Sequence, residues 1–356
     1  MTSDRERSVQ FSQMTATEDI LNNVSSRVHT PPPPLPQEAY LAMGVYLVIL
    51  GGVAFCGNFT VLLVIVCQKK ALMKFQNILL VNMALVDLLV TMTAYPLTAI
   101  SSFHGRWLFG EVMCWVSGFF VFSLTMVSMN TQTFIAVFRY ILVCRPSLHH
   151  LLRPQTAKPV LIASWVHAVF WTALPLFGWN SYVPEPFLTS CTIQWAADTF
   201  LSKSYIVLTV FTCYLLHVSV VVFCYTSILH KSRKLTFGAR KNSSMVRLEE
   251  LLWHHKVETE RGVTKMCAAM MGTFLICWTP YAVVSLIATG GYPLSADVST
   301  LPTMFAKLSC ATNPVIYAFM SSKFREGLCA LFPWTQRNQN RVGTRTAAIE
   351  MAEESK

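Results

Sequence analysis

Charge is scarce in this sequence. Only 13% of its 356 residues are Asp, Glu, Lys or Arg, whereas 53% are hydrophobic, and an ordinary soluble domain carries about twice that charged share. The scarcity of charge therefore indicates a membrane protein. The eleven cysteines are an odd number, and most stand inside apolar segments, where a thiol behaves as a small hydrophobic group. Their count alone predicts no disulfide framework.

The residue patterns of several functional classes are also missing. We find no nucleophile paired with a base and no phosphate-binding glycine loop, so catalysis is not indicated. His254 and His255 are adjacent and cannot face the same side of a helix, so we assign no metal site. The net charge of +10 comes from basic residues gathered between apolar segments, which argues against nucleic-acid binding. The N-terminus lacks the pattern of a cleavable signal peptide.

Seven apolar segments are each long enough to cross the ~30 Å hydrocarbon core of a bilayer. We therefore predict an all-α membrane protein, a seven-transmembrane helix bundle occupying residues 38–321. The predicted spans are 40–67, 77–101, 112–143, 160–177, 205–229, 263–289 and 301–320.

Basic residues cluster after the first, third and fifth of these spans, which places those connections in the cytoplasm by the positive-inside rule. The N-terminus is then extracellular and the C-terminus cytoplasmic, as expected for a multi-pass protein of the plasma membrane. Residues 1–37 are polar and proline-rich, which predicts a disordered extracellular tail. Its sequon at Asn23 is either a glycosylation site or a chance occurrence.

After the seventh span, residues 322–333 alternate charged and bulky apolar side chains at helical spacing. This pattern predicts a short amphipathic cytoplasmic helix on the membrane surface, in contact with lipid. Cys329 within it is either palmitoylated or an idle thiol. Residues 334–356 form the predicted cytoplasmic tail.

Two ionisable residues stand deep within predicted spans, Asp87 and Lys307, and each is a functional candidate because a charge in hydrocarbon is costly. Lys307 either pairs with an acid on a neighbouring helix or reacts with an aldehyde. Asp87 is either a protonated structural acid or part of a network with Asn58, Ser128 and Asn313 that holds water or sodium.

A set of motifs carries a resemblance to a known family. Lys307 stands seven residues before Pro314 in the sequence Asn-Pro-Val-Ile-Tyr, and the sixth span contains Cys-Trp-Thr-Pro-Tyr at 277–281. With Asn58, Asp87, Arg139, Tyr140 and Trp165, these residues resemble the opsins of the rhodopsin-like receptor family across nearly the whole membrane portion. The external segment 178–191 is most similar to the neuropsin branch.

The resemblance implies retinal, as the 11-cis or all-trans isomer, bound through a Schiff base on Lys307. It implies a disulfide between Cys114 and Cys191, in a compartment that permits one. It also implies a chromophore pocket that includes Ser117, Trp278 and Tyr281. Many vertebrate opsins place the counterion three residues after the disulfide cysteine, where this chain has the uncharged Ser117. Glu185 on the lid matches the acid used by many other opsins, and we expect it to be the counterion rather than an uninvolved glutamate of a surface loop. We also expect a protonated pigment that absorbs visible light rather than an ultraviolet one.

The resemblance further implies a cytoplasmic switch and a heterotrimeric G protein as partner, and leaves arrestin and a receptor kinase open as others. The predicted switch residues are Asp87, Arg139, Glu260, Asn313, Pro314 and Tyr317. Two positions depart from the family pattern. Phe138 replaces the acid before Arg139, which predicts raised activity in darkness, and His217 replaces a proline in the fifth span.

These observations favour a light-sensing receptor over three alternatives. A receptor for a diffusible ligand would use Lys307 to bind an acid. A retinal photoisomerase would share the architecture but would need no cytoplasmic switch. A light-driven pump would need a row of acids through the bundle, which the spans lack.

Overall fold

The computed structural model describes residues 34–67, 74–196, 198–241, 248–292 and 294–331, with side chains described outside 235–241 and 248–260. From Leu35 onward the described residues belong to one compact unit. The first four helices are Gln37–Cys67, Phe75–Phe103, Gly110–Cys144 and Pro154–Ala173. The fifth comprises Phe200–Thr209 and Leu216–Lys241, the sixth is Leu248–Thr289, the seventh comprises Ala296–Lys307 and Ser309–Met320, and the eighth is Ser322–Leu331.

The surface of the bundle is that of a multi-pass membrane protein. Within the described ranges, six helices are long and apolar enough to cross a bilayer. The seventh helix consists of two 12-residue segments, which in series are long enough to cross the ~30 Å core. Large apolar side chains such as Val112 and Phe319 are exposed on the outer face, where lipid tails would surround them. The predicted seven-helix bundle is confirmed.

Two spanning helices contain an irregular turn. In the fifth helix, Val210–Leu215 forms a π-helical turn that widens the backbone, although residue 217 is a histidine rather than a proline. In the seventh helix, Leu308 separates the two segments and directly follows Lys307. Irregular turns of this kind recur at functional sites in helices.

The first and seventh helices meet closely where Pro314 lies. A Cβ atom on Gly57 would lie 2.7 Å from Cβ of Pro314, so this contact requires glycine. Pro314 has no N–H, and the carbonyl of Cys310 one turn earlier therefore lacks a helical donor. Asn58 supplies one, because its Nδ2 donates to the Cys310 carbonyl at 2.8 Å. This arrangement joins the two helices beside Pro314, one of the predicted switch residues.

The segment between the fourth and fifth helices forms a hairpin over the bundle. Strand β1, Tyr182–Pro184, pairs antiparallel with strand β2, Cys191–Ile193, so that Pro184 lies opposite Cys191. The predicted disulfide is confirmed: Cys191 is bonded to Cys114 on the third helix, with Cα atoms 5.5 Å apart. Tyr182 also packs against the third helix at Gly118. The hairpin is thus fixed in place as a lid.

The amphipathic helix of the C-terminal region is present as Ser322–Leu331, close to the predicted 322–333. Cys329 is exposed on it. The predicted N-terminal tail up to residue 33, with Asn23, and the predicted tail from residue 334 lie outside the described residues.

Candidate functional site

A cavity of about 160 Å³ lies inside the bundle beneath the hairpin. Side chains from the second, third, fifth, sixth and seventh helices form its mostly apolar wall. All five residues predicted for the site contribute to the wall: Ser117, Glu185, Trp278, Tyr281 and Lys307. The structure therefore brings together residues that are as far apart as 190 positions in the sequence.

Lys307 lines the cavity from the end of the first segment of the seventh helix. Its side chain is partly exposed, and it shares the cavity wall with residues of the lid and of four other helices. A primary amine in such a place needs a negative partner or a reaction that uses it. The position suits covalent attachment of an aldehyde that fills the cavity.

Glu185 lies at the end of the lid that faces this amine. It follows strand β1 directly, and its side chain is only 6% exposed. The hydroxyl of Thr303, one helical turn before Lys307, donates to Glu185 Oε2 at 2.8 Å. Burial raises the pKa of the Glu185 carboxyl above its ordinary value, while the charge of Lys307 and the Thr303 hydroxyl act in the opposite direction. The carboxyl and the amine therefore interact electrostatically across the cavity.

Two backbone hydrogen bonds stabilise the turn between the two strands, residues 185–190. The amide of Glu185 donates to the Ser190 carbonyl at 2.8 Å, and the Leu188 amide donates to the Glu185 carbonyl at 2.8 Å. Leu188 has a φ of +62°, a conformation that is uncommon for a residue other than glycine. The tight turn carries the carboxyl into the bundle instead of toward solvent.

Trp278 lies on the sixth helix, and its indole links that helix to the seventh. Its Nε1 donates to the Ser309 hydroxyl at 3.1 Å. Its ring contacts Phe274 and Tyr281, with centroids 5.9 Å apart in both pairs. A ligand attached to Lys307 and reaching toward the sixth helix would contact this indole.

Tyr281 links the sixth helix to the lid. Its hydroxyl lies 2.8 Å from Thr192 Oγ1, and Trp195 Nε1 donates to it at 3.1 Å. Trp195 and Thr192 also line the cavity. Sequence reasoning identified Tyr281 but missed these two partners, since neither stands at a recognisable spacing from the predicted site residues.

Thr303 was missed as well, although a signal for it exists. It precedes Lys307 by four residues, and residues four apart share a face of a helix. Any hydroxyl or acid at that spacing was therefore a candidate neighbour of the amine.

Asp87 lies at the inner end of the cavity, on the second helix, and is 4% exposed. Asn313 Nδ2 donates to Asp87 Oδ2 at 3.0 Å, and Ser128 lies on the same part of the wall. Asn58 instead directs its Nδ2 to the backbone carbonyls of Ala54 and Cys310. Two of the three expected neighbours thus line the cavity with Asp87.

The residues predicted for the cytoplasmic switch lie further along the bundle. Arg139 is fully buried, and its Cζ lies 5.2 Å from the centroid of the Phe138 ring. Phe138 stacks on Phe75 at the start of the second helix, with centroids 5.1 Å apart. Tyr317 is buried beside Phe324 of the eighth helix. The backbone of Glu260 is helical, and its side chain lies outside the described residues.

Comparisons with known proteins agree with this architecture. The family "7 transmembrane receptor (rhodopsin family)" matches residues 57–317. The "Rhodopsin, G0-coupled" of Mizuhopecten yessoensis is 33% identical over 306 residues, which cover 85% of this chain and 75% of the relative. Opsin-5 of Homo sapiens is 35% identical over 291 residues, covering 81% and 80%. The crystal structure of squid rhodopsin superposes with a TM-score of 0.77 at 27% identity, covering 86% and 90%.

Proposed function

Because the chain belongs to the opsins of the rhodopsin family of seven-transmembrane receptors, we propose that it senses light through retinal bound as a Schiff base on Lys307. On illumination it activates a heterotrimeric G protein. The observation that carries this proposal is the lysine amine inside the bundle, which lines a cavity with Glu185 and Trp278. Retinal, when bound, supplies the absorption of light and a change of shape.

The residues present fit such a ligand. The cavity wall is mostly apolar, as a polyene requires, and the amine of Lys307 opens onto it. Condensation of an aldehyde with a primary amine releases water and leaves a nitrogen that can hold a proton. A positive nitrogen in this apolar place needs a carboxylate nearby.

Glu185 is the counterion in this proposal. Its carboxyl is buried, and burial raises its pKa above the ordinary value, while the Lys307 charge offsets part of that rise. The Thr303 hydroxyl stabilises the charged carboxylate through its hydrogen bond. Ser117 lines the same cavity without charge, so the lid supplies the negative charge that the third helix does not.

Trp278 and Tyr281 transmit the change of shape to the helices. Pushing the Trp278 indole would strain its bond to Ser309 on the seventh helix. Moving Tyr281 would strain its bonds to Thr192 and Trp195 in the lid. Pro280 lies between the two aromatic residues and removes one backbone hydrogen bond, so the sixth helix can bend there.

The cytoplasmic ends of the helices form the G-protein site in this proposal. The N-terminus is extracellular, as the basic cytoplasmic connections predict. Movement of the sixth helix away from Arg139, with rearrangement at Asp87, Asn313, Pro314 and Tyr317, opens the cytoplasmic face. The "Rhodopsin, G0-coupled" of Mizuhopecten yessoensis names G0 coupling, and we propose a G protein of that class as the first to test.

The test is reconstitution of the purified chain with 11-cis or all-trans retinal, followed by spectra before and after light and by light-dependent nucleotide exchange. We expect a visible band that Lys307→Ala abolishes and that Lys323→Ala, at an exposed lysine of the eighth helix, preserves. Glu185→Gln should move the band to the near ultraviolet at neutral pH, because the proton on the nitrogen loses its partner. Glu111→Gln, at an exposed acid of the third helix, should not.

The alternative functions give different results in the same experiment. Isomerisation of retinal without light-dependent nucleotide exchange would indicate a photoisomerase. Absence of any band that survives acid denaturation would refute the proposal and leave a receptor for a diffusible ligand.

A further inference from the structure

The seventh helix is interrupted at the peptide that carries Lys307. The Leu308 amide donates to the Phe305 carbonyl at 3.1 Å, and the Ala311 amide donates to the Leu308 carbonyl at 3.0 Å. Both bonds reach back three residues, where a regular α-helix reaches back four. The carbonyls of Met304 and Lys307 therefore do not receive the amide donors that an uninterrupted helix would give them.

Two tyrosine hydroxyls take the places of the missing amides. Tyr46 of the first helix donates to the Met304 carbonyl at 3.0 Å, and Tyr95 of the second helix donates to the Lys307 carbonyl. Buried carbonyls need such donors. The interruption is thus stabilised by side chains from two other helices, and not by the sequence of the seventh helix alone.

The two tyrosines differ in where they stand. Tyr95 is 3% exposed and lines the cavity. Its ring lies against the first helix, where a Cβ atom on Gly51 would be 3.3 Å from Tyr95 Cδ2. Tyr46 is half-buried, and it donates to the Met304 carbonyl, which lies about one helical turn before Lys307. Tyr95 is therefore the one whose bond reaches the lysine itself.

We infer that Tyr95 is a positioning residue for the attachment site: its hydroxyl fixes the peptide of Lys307 and so sets the direction in which the amine meets Glu185. The inference rests on the proposed attachment of retinal at Lys307. Tyr95 acts through the backbone. When the Tyr95 hydroxyl is removed, the seventh helix can close into a regular turn that gives the Lys307 carbonyl an amide donor. This closure rotates the lysine side chain in the cavity.

The test compares Tyr95→Phe with Tyr46→Phe. Each variant keeps the ring and removes one hydroxyl from a freed carbonyl of the seventh helix, so their effects on thermal stability should be similar. In the retinal-bound protein, Tyr95→Phe should shift the absorption maximum and change the rate of bleaching by hydroxylamine about two- to tenfold, the ratio that corresponds to one net hydrogen bond. Tyr46→Phe should change both quantities less, because the Met304 carbonyl that it leaves without a hydroxyl donor lies three residues before the lysine.

A second measurement needs no retinal. Lys307 in the retinal-free protein is reductively methylated with formaldehyde and cyanoborohydride, and its rate is followed by peptide mass spectrometry. Tyr95→Phe should change this rate more than Tyr46→Phe does. Equal behaviour of the two variants in bleaching and in methylation would overturn the inference. If the unaltered chain forms no pigment, the proposed function fails, and the methylation rates alone decide the role of Tyr95.

Discussion

Replacement of Thr303 by valine tests whether the lid carboxylate is the charged partner of the chromophore. The side chains have nearly the same shape, so the main loss is the hydroxyl, which donates to Glu185 Oε2 at 2.8 Å and also lies 2.9 Å from the Ser299 carbonyl of its own helix. A hydrogen bond to a charged group contributes about 1.5–3 kcal/mol. Its loss should favour the protonated carboxyl about 10- to 150-fold and raise the pKa of Glu185.

The assay is an acid titration of the pigment in darkness. As the pH falls, protonation of Glu185 removes the negative charge beside the chromophore. Because the acid solution keeps the nitrogen protonated, unlike the neutral solution in which Glu185→Gln is examined, the absorption band should move to longer wavelength. Because the hydroxyl stabilises the charged carboxylate, Thr303→Val should move the midpoint of this change upward by about one to two pH units.

Thr300→Val is the matched control. Thr300 is buried on the same helix, and its hydroxyl donates to the carbonyl of Ala296 in its own helix. Its replacement should leave the acid midpoint unchanged. An unchanged midpoint in Thr303→Val, or an equal shift in both variants, would refute the assignment of Glu185 as the titrating group.

Three further substitutions have defined outcomes. Phe138→Glu should lower nucleotide exchange in darkness, because it places an acid beside the buried Arg139. Equal nucleotide exchange in darkness by the unaltered chain and this variant would contradict the prediction. Gly118→Ala should lower the free energy of unfolding by about 1–3 kcal/mol through overpacking, because the new Cβ would lie 2.6 Å from Tyr182 Cδ1. Faster thermal bleaching in darkness would show this loss of stability. Asn58→Leu should lower the free energy of unfolding by about 1–3 kcal/mol, because it leaves the Cys310 carbonyl without a donor. The measurement is a lower melting temperature, and an unchanged melting temperature would count against the hydrogen bond from Asn58 to Cys310.

The bundle could be predicted from sequence because its signal is local. Each span is a long apolar run, and the lipid solvent requires such a run to be a helix. The resemblance to opsins, drawn from motifs such as Asn313 and Pro314, is confirmed by the family match and by relatives that include Opsin-5. The disulfide was predicted from the same resemblance and is confirmed. The roles of Lys307 and Glu185 remain predictions.

The irregular turns could not be predicted, because their causes are distant in the sequence. The break at Leu308 depends on hydroxyl donors from residues 46 and 95, more than 200 positions away. Tyr95 stands in the second predicted span, 77–101, but nothing in that span specifies which carbonyl its hydroxyl contacts. Likewise, the apolar pattern around Phe138 does not reveal that its ring stacks on Phe75.

The most direct test of the account is identification of the lysine that carries the chromophore. The illuminated and dark pigments are reduced with borohydride, which converts the C=N bond to a stable secondary amine, and the digested peptides are examined by mass spectrometry. We expect a retinyl group on the peptide that contains Lys307 and on no other lysine. A visible band together with a retinyl group elsewhere, or with an unmodified Lys307, would contradict it.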